Sequence, residues 1–114
     1  MTNVEKHHAI LEEIGTLYAK KNSDYGNSVH DTYMKYGPVS FIVRMEDKLN
    51  RIAALTLGGN GQQVMDERVI DTITDLANYA IIMRVEMEQE MEALTHGNKD
   101  SKVGRRLVRN KKSM

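Results

Sequence analysis

One proline, Pro38, stands in a chain of 114 residues. Proline removes a backbone donor and clashes with the preceding helical turn, so it is the strongest local stop for a helix. A chain with so few stops favours long helices. Five of its eight glycines cluster between positions 26 and 61, which confines the other breaks to that stretch. Hydrophobic residues make up 40%, enough for one modest core. The predicted class is all-α, with the first 97 residues as a single domain.

The chain has no cysteine, which excludes disulfides and thiolate–metal sites. Any metal would need oxygen or imidazole ligands, and His7, His8, His30 and His96 have no metal-ligand spacing. The N-terminus, MTNVEKHHAI, lacks the basic and apolar regions of a signal peptide. No run approaches ~18 apolar residues, so no membrane span and a cytoplasmic location are expected. The formal net charge of zero hides an asymmetry. Residues 1–97 carry 9 Lys/Arg and 15 Asp/Glu, whereas residues 98–114 carry 7 Lys/Arg and one Asp. The basic tail reads as a flexible solubilising segment, or as one that folds back on the acidic body. Weak phosphate contact with nucleic acid is the alternative, but no aromatic residue is interleaved for stacking.

Four segments are predicted. The first runs from about Val4 to Lys21, with Val4, Leu11, Ile14, Leu17 and Tyr18 at helical spacing and Asn3 as N-cap. A polar stretch follows, punctuated by Gly26 and Gly37, with a short helix over Asp31 to Tyr36. The third spans about 38–57, with Pro38 at the first helical position. The fourth spans about 64–95, starting at or just before Asp66, with Gly97 as C-terminal cap candidate. The short link between the last two predicts an antiparallel hairpin within a helical bundle.

The fourth helix carries an acidic arc. At 100° per residue, Glu67, Asp71, Asp75 and Asn78 fall within about 80°. Ile70, Ile73, Leu76, Ala77, Ala80 and Met83 lie opposite, as the predicted core face. Val64, Ile82 and Val85 return to the acidic side, which suggests a helix covered on two sides. Two readings are open: a solvated acidic face, or carboxylates gathered around a hard cation, which would offset the repulsion between like charges at i,i+4.

The third helix carries the complement. Arg44, Lys48 and Arg51 share one arc, with Asp47 beside them. One reading is interhelical ion pairs, such as Arg51 with Asp71. The other joins Glu46 or Asp47 to Asp71 and Asp75 around a metal, with the three cations on phosphate oxygens. Tyr79 either lines the cleft or packs, and Lys21 is a candidate phosphate contact.

Three blocks, KKNSDYGNS, RMEDKLNRIAAL and DERVIDTITDLANYAII, resemble the nucleotide-modification-associated domain family of phages and bacteria. That family is similar in turn to the MazG-like all-α nucleoside triphosphate pyrophosphohydrolases. The resemblance covers about Leu17 to Met83. It implies a Mg²⁺ site, with Mn²⁺ as substitute, held by carboxylates of two antiparallel helices in a dimer or tetramer of helical bundles. It also implies metal-activated water attack on a nucleotide phosphoanhydride. Carried over, Asp75 matches the final acid of an E-x-x-D block and Asp71 an additional acid one turn earlier. Thr72 stands in place of Glu, and Asn50 in place of the last Glu of an E-E-x-x-E block. Asp24 and Tyr25 would then sit over the base or sugar, with Asn78 and Tyr79 along the cleft.

The expected function is Mg²⁺-dependent nucleotide pyrophosphohydrolysis, with Asp71 and Asp75 catalytic and Glu46, Asp47 and Glu67 as further metal ligands. Two alternatives remain: a non-catalytic nucleotide-binding or sequestering protein, and a structural helical oligomerisation module.

Overall fold

The computed structural model describes residues 1–25, 27–58 and 66–95, the side chains of 23–25 excepted. Four helices follow one another: α1 (Asn3–Tyr25), α2 (Ser28–Tyr36), α3 (Val39–Thr56) and α4 (Glu67–Thr95). No strand occurs among the described residues, so the all-α prediction holds. The chain divides into two compact units, Met1–Ala80 and Ile81–Met114.

In the first unit, α1 begins with a capping box. The Thr2 hydroxyl accepts the Glu5 N–H, and the Glu5 carboxylate accepts the Thr2 N–H, both at 3.1 Å. Each bond satisfies a donor that a helix start leaves orphaned. The backbone and side-chain bonds with Thr2 hold the Glu5 carboxyl below its ordinary range. The cap is therefore Thr2, and the expected Asn3 is the first helical residue. α1 also outruns its expected end at Lys21 by four residues, because Asn22 and Ser23 are weak helix formers rather than stops. Of its apolar set, Ile14 is buried, Tyr18 is half-buried, and Val4, Leu11 and Leu17 are exposed.

α2 begins three residues before its expected start at Asp31. It ends at Gly37, which takes φ 74°, ψ −160° and donates its N–H to the Tyr33 carbonyl at 2.7 Å. That backbone conformation is essentially reserved for glycine. Pro38 follows as the N-cap of α3, at φ −57°; the missing proline N–H costs nothing at a helix start. The turn folds α2 against α3 and closes the Tyr33 and Phe41 rings to 5.5 Å between centroids at 58°. Both residues are 1% exposed. A tilted aromatic pair is worth about 0.5–1.5 kcal/mol beyond its area burial.

α4 starts on an aspartate cap. Asp66 Oδ1 accepts the Arg68 N–H at 2.9 Å, and the Asp66 carbonyl accepts those of Val69 and Ile70. The Arg68 guanidinium closes back on Asp66 Oδ2 at 3.0 Å, and this hydrogen bond holds the Asp66 carboxyl below its ordinary value.

The buried face of α4 differs from the predicted one. Val69 and Thr72 are buried, and Leu76 and Tyr79 are half-buried. This three-four-three spacing is a helical seam. Ile70 is 61% exposed and Ile73 45%, although both belonged to the predicted core face. Thr72 can occupy the seam because its hydroxyl donates to the Arg68 carbonyl at 2.7 Å, which removes most of the cost of burying it.

In the second unit, Ile82, Glu86 and Leu94 are buried, Val85 is exposed, and Arg84 donates to Glu88 across one turn. That bond raises the Arg84 pKa. Val64 and Gly97 lie outside the described residues. No helix among the described residues is long and apolar enough to cross a membrane.

Candidate functional site

Two contacts tie α3 to the first half of α4. The Lys48 ammonium lies 3.5 Å from Asp75 Oδ2. One turn back along α3, the Arg44 guanidinium lies 5.7 Å from the Tyr79 ring centroid, one turn on along α4. Four residues in one helix match four residues in the opposite direction in the other. The two helices therefore run antiparallel, as predicted, and the spacing of the two contacts implies a register. It sets Asp47 level with Leu76 and Arg51 level with Thr72.

The register follows from the helical wheel of α3. Arg44 and Lys48 sit at i,i+4 and share the side on which Phe41, Ile52 and Leu55 lose their exposure. Both cations are half-buried, and their charged heads meet Tyr79 and Asp75 of α4. Arg51 is exposed. Among the described residues, Lys48 with Asp75 replaces the expected Arg51–Asp71 pair.

The ion pair is of the modest kind. The Lys48 side chain is 27% exposed and that of Asp75 38%, a setting in which such pairs contribute about 0–1 kcal/mol. At 3.5 Å the contact is longer than a normal hydrogen bond, so the three ammonium protons can still turn to a stronger acceptor. The Arg44–Tyr79 contact adds about 0.5–2 kcal/mol. It holds the guanidinium over an aromatic face without using its N–H donors, which leaves them for an anion. Tyr79, which the sequence left between cleft and packing, thus has a defined partner.

The remaining candidates separate into groups. Glu67 and Asp71 are exposed and line an open depression of about 530 Å³ at the start of α4, with Asp66, Val69 and Ile70. Glu46 and Asp47 are exposed on α3, and Asn78 is half-buried on α4. Lys21 is exposed near the end of α1. Asp24 and Tyr25 belong to α1 by their backbone, but their side chains lie outside the described ones. Among the described residues, no group of three or more His, Asp or Glu could hold a metal ion. Two features escaped the sequence reading. Thr72 is a buried seam residue, for which the three-four spacing was the available signal. Glu86 is 7% exposed, and the exposed charges at 84 and 88 on either side of it give no hint of burial.

Residues 21–87 match the nucleotide modification associated domain 1 family. The chain belongs to that family. The matched stretch contains α2, α3 and the hairpin face with Arg44, Lys48, Asp75 and Tyr79, so the site lies inside the family's domain. No curated protein and no solved structure matches the chain.

Proposed function

We propose that the protein binds a nucleotide, with Arg44 and Lys48 as its phosphate contacts and Tyr79 holding the Arg44 guanidinium in place. The observation that carries this reading is the pair of half-buried cations one turn apart on α3. Each is held from α4 by a group of opposite electrostatic character, the Asp75 carboxylate and the Tyr79 π-face. Two cations at that spacing suit adjacent phosphate oxygens, Arg by its fork and Lys as a point charge. Membership in a nucleotide-modification family supports the class of ligand. Dimer or tetramer assembly belongs to the same reading, since Ile42, Val43, Leu49, Ile70 and Ile73 stand exposed on the hairpin.

The finer, hydrolytic reading draws on Glu67 and Asp71 beside Asp66 at the start of α4. Their fit to Mg²⁺ is poor. Asp66 is committed to the helix cap and to Arg68. Asp75 faces an ammonium instead of a second carboxylate.

Isothermal calorimetry with a panel of deoxynucleoside mono- and triphosphates tests the proposal. Binding is expected, and Arg44→Gln and Lys48→Gln should each weaken it at least tenfold. Absence of binding across the panel refutes it. Pyrophosphate release that depends on Asp71 and Asp75 would instead favour the hydrolase.

A further inference from the structure

Resting on that nucleotide-binding reading, we infer that the site takes nucleotide phosphate without a divalent cation, with Lys48 in the role a metal ion would play and Asp75 as its resting counter-ion. A cation bridging carboxylate and phosphate must stand within bonding distance of both. At Asp75 that position belongs to the Lys48 ammonium, 3.5 Å from Oδ2. The α3 side of the face adds a second fixed cation, Arg44, one turn away. A divalent ion placed there would meet two positive side chains at close range, and no group of three acidic or histidine ligands forms among the described residues to offset them. Electrostatics therefore favour an anion at this face over a cation.

The assignment fixes the sign of an effect. If Asp75 were a metal ligand, removing its charge would weaken nucleotide binding. As the counter-ion of Lys48 it competes with the incoming phosphate, so removing its charge should strengthen binding. Release of Lys48 from an ion pair of this exposure should tighten binding by up to about fivefold.

The test is calorimetry of a deoxynucleoside triphosphate with the full chain, once in EDTA and once in excess Mg²⁺. The wild type should bind at least as tightly in EDTA. Asp75→Asn should bind more tightly still, and Lys48→Gln should lose binding in both buffers. Circular dichroism melting checks that both variants fold, and Asp75→Ser serves if Asp75→Asn does not. Binding that requires Mg²⁺, or that Asp75→Asn and Asp75→Ser abolish, overturns the inference and leaves the nucleotide-binding reading standing. No binding in either buffer removes both.

Discussion

Replacing Thr72 by glutamate would place an acid where the sequence resemblance led one to be expected, and the fold opposes it. Thr72 is 4% exposed and its hydroxyl is satisfied within its own helix. A carboxylate introduced there enters the seam without a partner. Arg51, the nearest cation by register, is exposed and would have to turn inward. An uncompensated buried charge costs about 3–5 kcal/mol. At roughly 4–8 °C per kcal/mol for a domain of this size, Thr72→Glu should melt roughly 12–40 °C below the wild type at pH 7. Thr72→Gln has nearly the same volume and no charge, so the gap between the two variants isolates electrostatics from overpacking. Thr72→Val should stay within about 1 kcal/mol of the wild type, since it exchanges a weak bond for apolar burial. The gap also has a pH signature. Burial raises the introduced carboxyl above its unfolded value of about 4.3. The penalty is therefore full above the raised folded value and disappears below the unfolded one. Thermal melts by circular dichroism at pH 7 and near pH 3.5 read both effects. Equal melting of the Gln and Glu variants at pH 7, or a gap that persists in acid, refutes the reasoning.

Gly37→Ala places a Cβ at φ 74°, ψ −160° and should cost about 1–3 kcal/mol, read as a lower urea midpoint with unchanged slope. Phe41→Ala removes half of the Tyr33–Phe41 pair at a position 1% exposed; a loss of about 3–5 kcal/mol is expected, with the near-ultraviolet dichroism of Tyr33 collapsing in the same melt. The Asp66 carboxyl is held below its ordinary range by Arg68. Its contribution is thus complete above the unfolded aspartate value of about 3.9 and is lost as pH falls through the lowered folded value. The melting difference between wild type and Asp66→Asn should close in strong acid and stay constant from pH 5 to 8.

The hairpin is legible from the sequence because its signals are local. Pro38 and Gly37 fix the α2–α3 turn, Asp66 caps α4, and 3.6-residue periodicity finds each helix body. The faces are harder to read. The wheel of α4 puts its densest apolar arc on Ile70, Ile73, Leu76, Ala77, Ala80 and Met83; the structure half-buries Leu76, Ala77 and Met83, leaves Ile70, Ile73 and Ala80 exposed, and fully buries Val69 and Thr72. Hydrophobicity ranks faces by what they would gain from burial, whereas the choice depends on the partner, and the partner face of α3 is Arg44, Lys48 and Leu55 rather than its Ile42–Leu49 edge. The same rotation explains why Lys48, and not Arg51, meets the acidic arc. It also leaves a testable remainder. If Ile70 and Ile73 face water in solution, Ile70→Ser combined with Ile73→Ser changes stability by no more than about 0.5 kcal/mol per site. If a second copy covers them, as the assembly reading requires, the wild type should sediment above its 13.0 kDa chain mass. Its melting temperature should then rise with protein concentration, and the double variant should lose both properties. A wild type that sediments at the single-chain mass, with melting independent of concentration, removes assembly from the reading and leaves the two isoleucines as a solvent-facing stripe.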